Sequence, residues 1–298
     1  MSQSLAMVAT QFLDRQGLAS STVKSYESAL IPLLKDYGRC PIELMDRQTL
    51  QEFLDDIQHL SYRTHHRHQA IVHALFSFAV MQGYLTSNPM AQIPRRKPES
   101  GKGEHHTDQK IRYFTEPQRK EIYRLVKRNS RLNALIHLLH SSGARVSEIL
   151  NLDYEAFDPF SFKFQVIGKG NKQRWCFYDE KTAESLARYF RYARHSESSA
   201  LFTAQHRLSG QVTRLSYRTA YSHWRNAIDG NKEFEGARLH DLRHTFATER
   251  VGLMGIEELR ALMGHENIKT TLQYQKVTSK QAEKAASKAF NLLNAKDD

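Results

Sequence analysis

Cysteine is scarce in this sequence of 298 residues, and the two that occur, Cys40 and Cys176, match no metal-ligand spacing. We expect them to be buried or incidental thiols in a reducing compartment. Long apolar runs are missing too, since no stretch approaches the ~20 apolar residues that span a bilayer. The N-terminus lacks the basic segment and continuous apolar run of a signal peptide. These absences predict a cytoplasmic protein with no membrane partner.

Acidic residues are outnumbered by basic ones, with 32 Asp and Glu against 43 Lys and Arg and a formal net charge of +11. A cationic field attracts polyanions at long range, which favours a nucleic-acid partner. The alternative, that the charge only aids solubility, stays open at this point. Hydrophobic residues make up 40% of the sequence, which argues against global disorder, and the length suits one large domain or two smaller ones.

Clustered carboxylates do not stand out either. Nucleases and transposases that use two metal ions need such clusters as ligands. Zinc is also disfavoured, because no cysteine or second histidine pair completes a closed ligand set. The sequence therefore predicts no metal and no other cofactor.

Residues 1–95 show helical periodicity throughout, which predicts a helical domain. A first helix spans Leu5–Arg15, Ser20 or Ser21 caps the second, Asp46 caps the third, and Ser61 opens a fourth that Gly83 closes. The start of the fourth helix is rich in basic and imidazole side chains: Arg63, His65, His66, Arg67 and His68. Two interpretations stay open for this cluster, contact with phosphates, above all through Arg63 and Arg67, or an ordinary solvated face.

Residues 96–112 form a basic linker rich in proline and glycine and without periodicity, so the domain boundary is placed here. Three basic side chains at the junction of domain and linker, Arg95, Arg96 and Lys97, are candidates for contact with a duplex backbone.

Residues 113–298 are predicted to form a second domain. Thr115 and Gln118 make a capping box at its start, and a later helix stops at Gly143. The period then changes to strict alternation from Phe160 to Val166, and a basic, glycine-rich turn and two aromatic residues follow, which predicts a β-hairpin. The rest returns to helical periods. The expected fold class is mainly α with a small β-hairpin or sheet, in two domains.

Candidate chemistry concentrates in the stretch 239–248, in residues 262–265 and at Tyr274. His240 and Arg243 are three apart and share a face if the stretch is helical. The planar fork of an arginine suits phosphate oxygens. A tyrosine hydroxyl near such cations is a candidate nucleophile toward phosphate.

These pieces, in this order, resemble the catalytic domain of the tyrosine recombinase (phage integrase) family. The matching residues are Gly143-Ala144-Arg145-Val146-Ser147-Glu148, the hairpin turn at Lys169, His240-Asp241-Leu242-Arg243, Gly264-His265 and Tyr274. The whole chain resembles the compact Xer-type members, which join a helical, SAM-like core-binding domain to an α+β catalytic domain. The N-terminal half is matched mainly by its helix pattern. Ala144 departs from the larger apolar residue that is commoner there, which puts no catalytic residue in doubt.

The resemblance implies that Tyr274 attacks a DNA phosphate and forms a 3′-phosphotyrosine. Arg145 and Arg243 would then hold the non-bridging oxygens and stabilise charge in the transition state. Lys169 would protonate the departing 5′-oxygen, with Lys172 as a competitor for that role and a candidate for DNA contact.

The remaining site residues have assisting roles in this hypothesis. His240 and His265 would bind the phosphate or assist proton transfer from Tyr274. Glu148 would either orient Arg145 or lie on a helix surface. His244 is expected to be structural.

The partner implied by the resemblance is double-stranded DNA, clamped between the two domains and recombined through a Holliday junction without metal or ATP. A homo- or hetero-tetramer on two DNA sites would be coupled by an apolar stripe on a C-terminal helix: Ala282, Ala285, Ala286, Ala289, Phe290 and Leu293. That stripe packing on its own domain is the alternative.

Two other functions stay open. A type IB topoisomerase would use similar tyrosine chemistry to relax supercoils, and a non-enzymatic DNA-binding protein would explain the charge alone. Whether the task is dimer resolution or integration of a mobile element is not decided by the sequence.

Overall fold

A computed structural model describes residues 3–102, 104, 111–168, 172–275 and 286–287 of the chain. The chain divides into two compact units, residues 1–109 and 110–298. Within the part of the chain that is described, no helix is long and apolar enough to cross a membrane.

The first unit is built from helices whose apolar faces enclose one core. In chain order they are α1 (Leu5–Asp14), α2 (Ser20–Tyr37), α3 (Arg47–Asp56) and α4 (Tyr62–Met81). Each helix contributes at least one fully buried apolar side chain to this core: Phe12, Leu30, Leu50 and Phe76. The helical prediction for this half of the chain is confirmed.

Two of the three predicted helix caps are confirmed. Asp46 Oδ1 accepts a hydrogen bond from the Thr49 amide at 2.8 Å, and Ser61 Oγ accepts one from the Thr64 amide. The predicted cap of α2 is wrong, because Ala19 occupies the capping position and offers no side-chain acceptor. Ser20 already lies in the first helical turn.

The basic cluster of α4 is divided between buried and exposed positions. His65 is buried, with its Nε2 3.0 Å from the Leu54 carbonyl oxygen, and Arg67 is exposed and donates to Ser25. In the segment that follows, Arg96 is largely buried and pairs with Glu104 at 2.7 Å, so its charge is already partnered.

The second unit contains helices around two small antiparallel sheets. Its helices are α5 (Glu116–Val126), α6 (Ser130–Ser142), α7 (Val146–Asn151), α8 (Glu180–Tyr192), α9 (Tyr217–Ile228), α10 (Leu239–Arg250), α11 (Ile256–Met263) and α12 (Lys269–Leu272). Its strands are β1 (Phe157–Asp158), β2 (Lys163–Ile167), β3 (Gln173–Phe177), β4 (Thr203–Gln205) and β5 (Val212–Arg214). The first sheet has the order β1-β2-β3, and β4 pairs with β5.

The hairpin prediction is confirmed for β2 and β3 but is wrong about where the strand begins. Phe160 lies outside the strand and is 94% exposed, and Phe162 has a left-handed φ of 49°. Phe164 and Val166 alone carry the buried alternation, because the chain turns before Lys163. The β4–β5 ribbon was not predicted, since its strands are too short to show a period.

Gly143 fixes the path from α6 into α7. It ends α6, as predicted, with a φ of 62°, which favours glycine. A Cβ at this position would lie 2.4 Å from the Phe246 ring of α10, so a side chain would push the two helices apart. The close approach of α6 and α10 brings Arg145, two residues later, toward the residues of α10.

Candidate active site

Helix α10 presents three candidate side chains, His240, Arg243 and His244, at positions i, i+3 and i+4 of one helix. Its first turn is fixed by Asp241, which is fully buried and accepts a hydrogen bond from the Arg238 amide at 2.8 Å. The carboxylate also lies at the positive end of the helix dipole. The start of α10 is therefore rigidly placed.

Tyr274 lies just after α12 and is buried, with 7% of its surface exposed. Its hydroxyl is 2.7 Å from Nδ1 of His244, and its ring is parallel to that of His265. Burial raises the pKa of Tyr274, although the charges of Arg243 and Arg145 act to lower it. The phenol is therefore protonated at neutral pH.

His244, which the sequence analysis expects to be structural, lies within the site. It is the α10 histidine that contacts the Tyr274 hydroxyl, whereas His240 packs edge-on against the ring of His244 with the centroids 4.8 Å apart. The available signal was its position, one turn after His240 on a helix face already assigned to the site. The 30-residue separation from Tyr274 hid the contact.

Arg243 is 2% exposed and is held by two backbone carbonyls. Nη1 donates to Gly143 at 2.6 Å and Nη2 donates to Met263 at 2.5 Å. Burial and the nearby charges of Arg145 and Arg174 lower the pKa of Arg243 to about 10, so the group stays cationic at neutral pH. One side chain thus joins the segment before α7 to the end of α11.

Arg145 occupies the N-cap position of α7 and keeps about a third of its side chain exposed. Nη1 donates to Glu148 Oε1 at 2.9 Å and Nη2 donates to the Gly264 carbonyl at 3.2 Å. A cleft of about 560 Å³ opens beside Arg145 and is also lined by Ser147, Asn151 and Gly168.

Glu148 is nearly buried and is shared by two arginines. Besides Arg145, it binds Arg174 of β3 in a two-pronged pair, with distances of 2.8 and 2.7 Å to its two oxygens. Burial acts to raise the pKa of Glu148, but these hydrogen bonds and charges lower it to about 2. A carboxylate with this environment is ionised throughout the physiological range.

Arg174 is a site residue that the sequence analysis missed. It is 11% exposed, and its Nε also donates to the Leu262 carbonyl at 3.1 Å. The signal lay in the hairpin register, because Arg174 pairs with Val166 on the buried side of the sheet. A charged residue at an inward position requires a partner.

The two predicted histidines are uncharged at neutral pH. His265 is buried, and its Nδ1 is 2.9 Å from Thr271 Oγ1. Lost hydration and the charges of Arg243 and Arg145 lower the pKa of His265 to about 4. His240 keeps an exposed edge, and lost hydration together with His244 and Arg243 lowers its pKa to about 4 as well. Both rings are therefore neutral at pH 7.

Lys169, predicted to lie in the hairpin turn, is outside the described residues. Its neighbour Lys172 is exposed and pairs with Glu266 at 3.2 Å. The structure brings Arg145, Glu148, Arg243, His265 and Tyr274 together, with His240 at the margin, and leaves the placement of Lys169 open. In the described ranges, no group of three or more His, Cys, Asp or Glu side chains is placed to hold a metal ion.

Residues 112–281 match the phage integrase family. The chain belongs to the phage integrase family. Two relatives along most of the chain are tyrosine recombinase XerD of Haemophilus influenzae, 27% identical over 272 residues, and tyrosine recombinase XerC of Staphylococcus haemolyticus, 25% identical over 281 residues. The first alignment covers 88% of this chain and 89% of the relative, and the second covers 90% of each. The expected recognition as a tyrosine recombinase with Xer-type relatives is confirmed.

Solved structures share the fold. The Tn1549 transposon integrase in complex with transposon right end DNA has a TM-score of 0.72 at 18% identity, covering 96% of this chain and 99% of that one. A lambda integrase dimer bound to a core site has a TM-score of 0.69 at 14% identity. That match covers 90% of this chain and 97% of the lambda integrase chain. The predicted fold class is confirmed, and the family assignment makes the chain a site-specific recombinase.

We predict that Glu148→Gln destabilises the chain by about 2 kcal/mol at pH 7, because Arg145 and the largely buried Arg174 lose a charged acceptor. The pKa of Glu148 is below its ordinary value of 4.5. Its contribution is therefore fully present above pH 4.5 and is lost as the pH falls toward 2. Denaturant unfolding at pH 7 and pH 3 should show a gap between wild type and variant that narrows in acid.

The control is Glu155→Gln, which changes an exposed carboxylate. It should leave stability unchanged within about 0.5 kcal/mol. Equal stability of Glu148→Gln and wild type at pH 7, or a gap that widens in acid, contradicts this account of the ion pair.

Proposed function

We propose that this recombinase cuts and rejoins double-stranded DNA through Tyr274, leaving a 3′-phosphotyrosine and a free 5′-hydroxyl. The observation that carries the proposal is the buried Tyr274 hydroxyl, bonded to His244 in a pocket with two cationic arginines. The covalent link conserves the phosphodiester bond, so that a different strand can be rejoined without ATP.

Arg145 and Arg243 bind the non-bridging oxygens of the scissile phosphate in this proposal. Each guanidinium has five N–H donors, of which the described contacts occupy two. Those contacts fix the planes of both groups before DNA arrives. Donors positioned in advance stabilise the added charge of a pentavalent transition state at little cost in reorganisation.

The other proposed groups act on hydrogen bonds and protons. His265, fixed by Thr271, and His240, at the exposed margin, donate hydrogen bonds to phosphate oxygens as neutral rings. Lys169 protonates the departing 5′-oxygen. Glu148 orients Arg145, which is supported by the 2.9 Å pair between them.

DNA contact by the rest of the chain is also a proposal. We divide the chain into a helical DNA-binding domain at residues 1–95, a basic linker at 96–112 and a catalytic domain at 113–298. Arg63, Arg95 and Lys97 are exposed and suit phosphate contact. Arg67 and Arg96 already bind protein groups, so they contribute to DNA binding only by exchanging those partners. Lys172 is paired with Glu266, so it too contributes to DNA binding only by exchanging its partner.

Recombination through a Holliday junction requires four active sites on two duplexes, and we propose a homo- or hetero-tetramer. Coupling by the C-terminal apolar stripe rests on the family resemblance alone, since that stripe lies outside the described residues apart from Ala286. Either dimer resolution, which the resemblance to Xer-type members implies, or integration of a mobile element fits this chemistry. A cytoplasmic location fits both.

The two alternative functions are less well supported. A DNA-binding protein without enzymatic activity has no need for a buried tyrosine hydroxyl bonded to histidine and close to the buried Arg243. A type IB topoisomerase would use the same groups, but the full-length similarity is to recombinases. Relaxation of supercoiled DNA that lacks paired target sites would distinguish the two.

We predict that Tyr274→Phe abolishes covalent adduct formation while leaving DNA binding within about threefold of wild type. The measurement uses a suicide substrate from the native locus, nicked near the cleavage position, and denaturing gels in EDTA. Wild type should form the adduct without divalent metal. An adduct that persists in Tyr274→Phe, or one that chelation abolishes, contradicts the mechanism.

Deletion of the residues after Lys280 should reduce recombination by at least about tenfold and reduce cleavage of a single site much less. The reason is that protomer coupling is required for exchange between two duplexes but not for one attack on phosphate. Recombination and adduct yield are measured on matched substrates. Unchanged recombination refutes the coupling role of the tail.

A further inference from the structure

We propose that His244 is a catalytic residue, the general base that accepts the proton of the Tyr274 hydroxyl as this oxygen attacks phosphorus. The inference rests on the proposed role of Tyr274 as nucleophile and assigns a function to a histidine outside the residue set expected from the family resemblance.

The geometry is that of an acid–base pair. Nδ1 of His244 lies 2.7 Å from the Tyr274 hydroxyl oxygen, within the distance needed for direct proton transfer. A phenol that donates to Nδ1 requires a neutral ring with its proton on Nε2. His244 projects from the regular helix α10, whose first turn is fixed by Asp241, so its position relative to Tyr274 is held by secondary structure.

The other histidines near Tyr274 are less suited to the role. Nδ1 of His265 faces Thr271 Oγ1, and the His265 ring lies parallel to the Tyr274 ring at 6.4 Å between centroids. His240 contacts the ring of His244. Among the described residues, His244 is the histidine with a hydrogen bond to the Tyr274 hydroxyl.

Burial favours a neutral base and a protonated nucleophile, and the nearby arginine charges also favour the neutral base. Burial lowers the pKa of His244, Arg238 and Arg243 lower it further, and Asp241 opposes them. His240 lies against the same ring, and Tyr274 is the titratable group that faces it from the segment after α12. Because burial raises the pKa of Tyr274, few phenolates exist at neutral pH, and attack needs a proton acceptor.

The step balances without another reactant. The O–H bond of Tyr274 breaks and its proton passes to Nδ1 of His244, while the phenolic oxygen forms a bond to phosphorus. The bond from phosphorus to the 5′-oxygen breaks, and that oxygen takes a proton from the general acid, proposed to be Lys169. In rejoining, the imidazolium of His244 returns its proton to the departing Tyr274.

The test combines His244→Asn with fluorinated tyrosine at position 274. Asparagine offers a side-chain oxygen near the position of Nδ1 but takes up no proton, so it separates positioning from base catalysis. Single-turnover adduct formation on the suicide substrate should slow by about 100-fold in His244→Asn. In the His244→Asn variant, replacing Tyr274 with 3,5-difluorotyrosine, whose phenol is more acidic, should raise the rate of adduct formation by at least about tenfold. In the chain with the native His244, the same replacement should change that rate by less than about threefold.

His223→Asn is the matched control, since it changes a half-buried histidine of α9 and should retain the wild-type rate. Unfolding temperature and DNA binding show whether each variant is folded, and His244→Gln replaces His244→Asn if the latter is not. A wild-type rate in His244→Asn, or a slowed variant that the acidic phenol does not rescue, overturns the role of His244. By contrast, no adduct in wild type, or an adduct in Tyr274→Phe, overturns Tyr274 as nucleophile.

Discussion

The site depends on how three guanidinium groups are held close together inside the protein. Arg145 and Arg174 share the buried carboxylate of Glu148, and Arg243 rests on the carbonyls of Gly143 and Met263. Like charges repel each other strongly when they lose hydration. Three neighbouring guanidinium groups are therefore stable only if hydrogen-bond acceptors at fixed positions offset this repulsion and the lost hydration. Folding supplies those acceptors from segments far apart in sequence, and it thereby also fixes how α7, α10, β3 and α11 meet.

The excess positive charge has a direct consequence for the neighbouring neutral groups. It helps keep His240, His244 and His265 unprotonated, and it acts to lower the pKa of the buried Tyr274 phenol. A phosphate bound here would reduce the repulsion among the arginines, most of all as negative charge builds up during attack. The free energy needed to bring the cations together is supplied during folding. The transition state therefore requires no further rearrangement of these groups.

The sequence predicts the helical half, the hairpin and the face of α10 well, because each follows from a period or from a short local pattern. His244 and Arg174 escape it, since their partners Tyr274 and Glu148 lie 30 and 26 residues away and no period reports such contacts. Phe160 shows the opposite failure: it continues the alternation of β2 in sequence although the chain has already turned. The order of the sequence motifs located the site, whereas the hydrogen bond between His244 and the Tyr274 hydroxyl was found only in the structure.

The central claim, that Tyr274 becomes covalently joined to DNA, is tested most directly by mapping the linkage. The trapped adduct is digested with trypsin and nuclease, and the peptide that retains a nucleotide is sequenced by mass spectrometry. Residues 270–276 form one tryptic peptide, in which Tyr274 is the sole tyrosine. The account predicts a nucleotide joined through its 3′-phosphate to that residue. A nucleotide on another peptide, or a linkage through a 5′-phosphate, would contradict it.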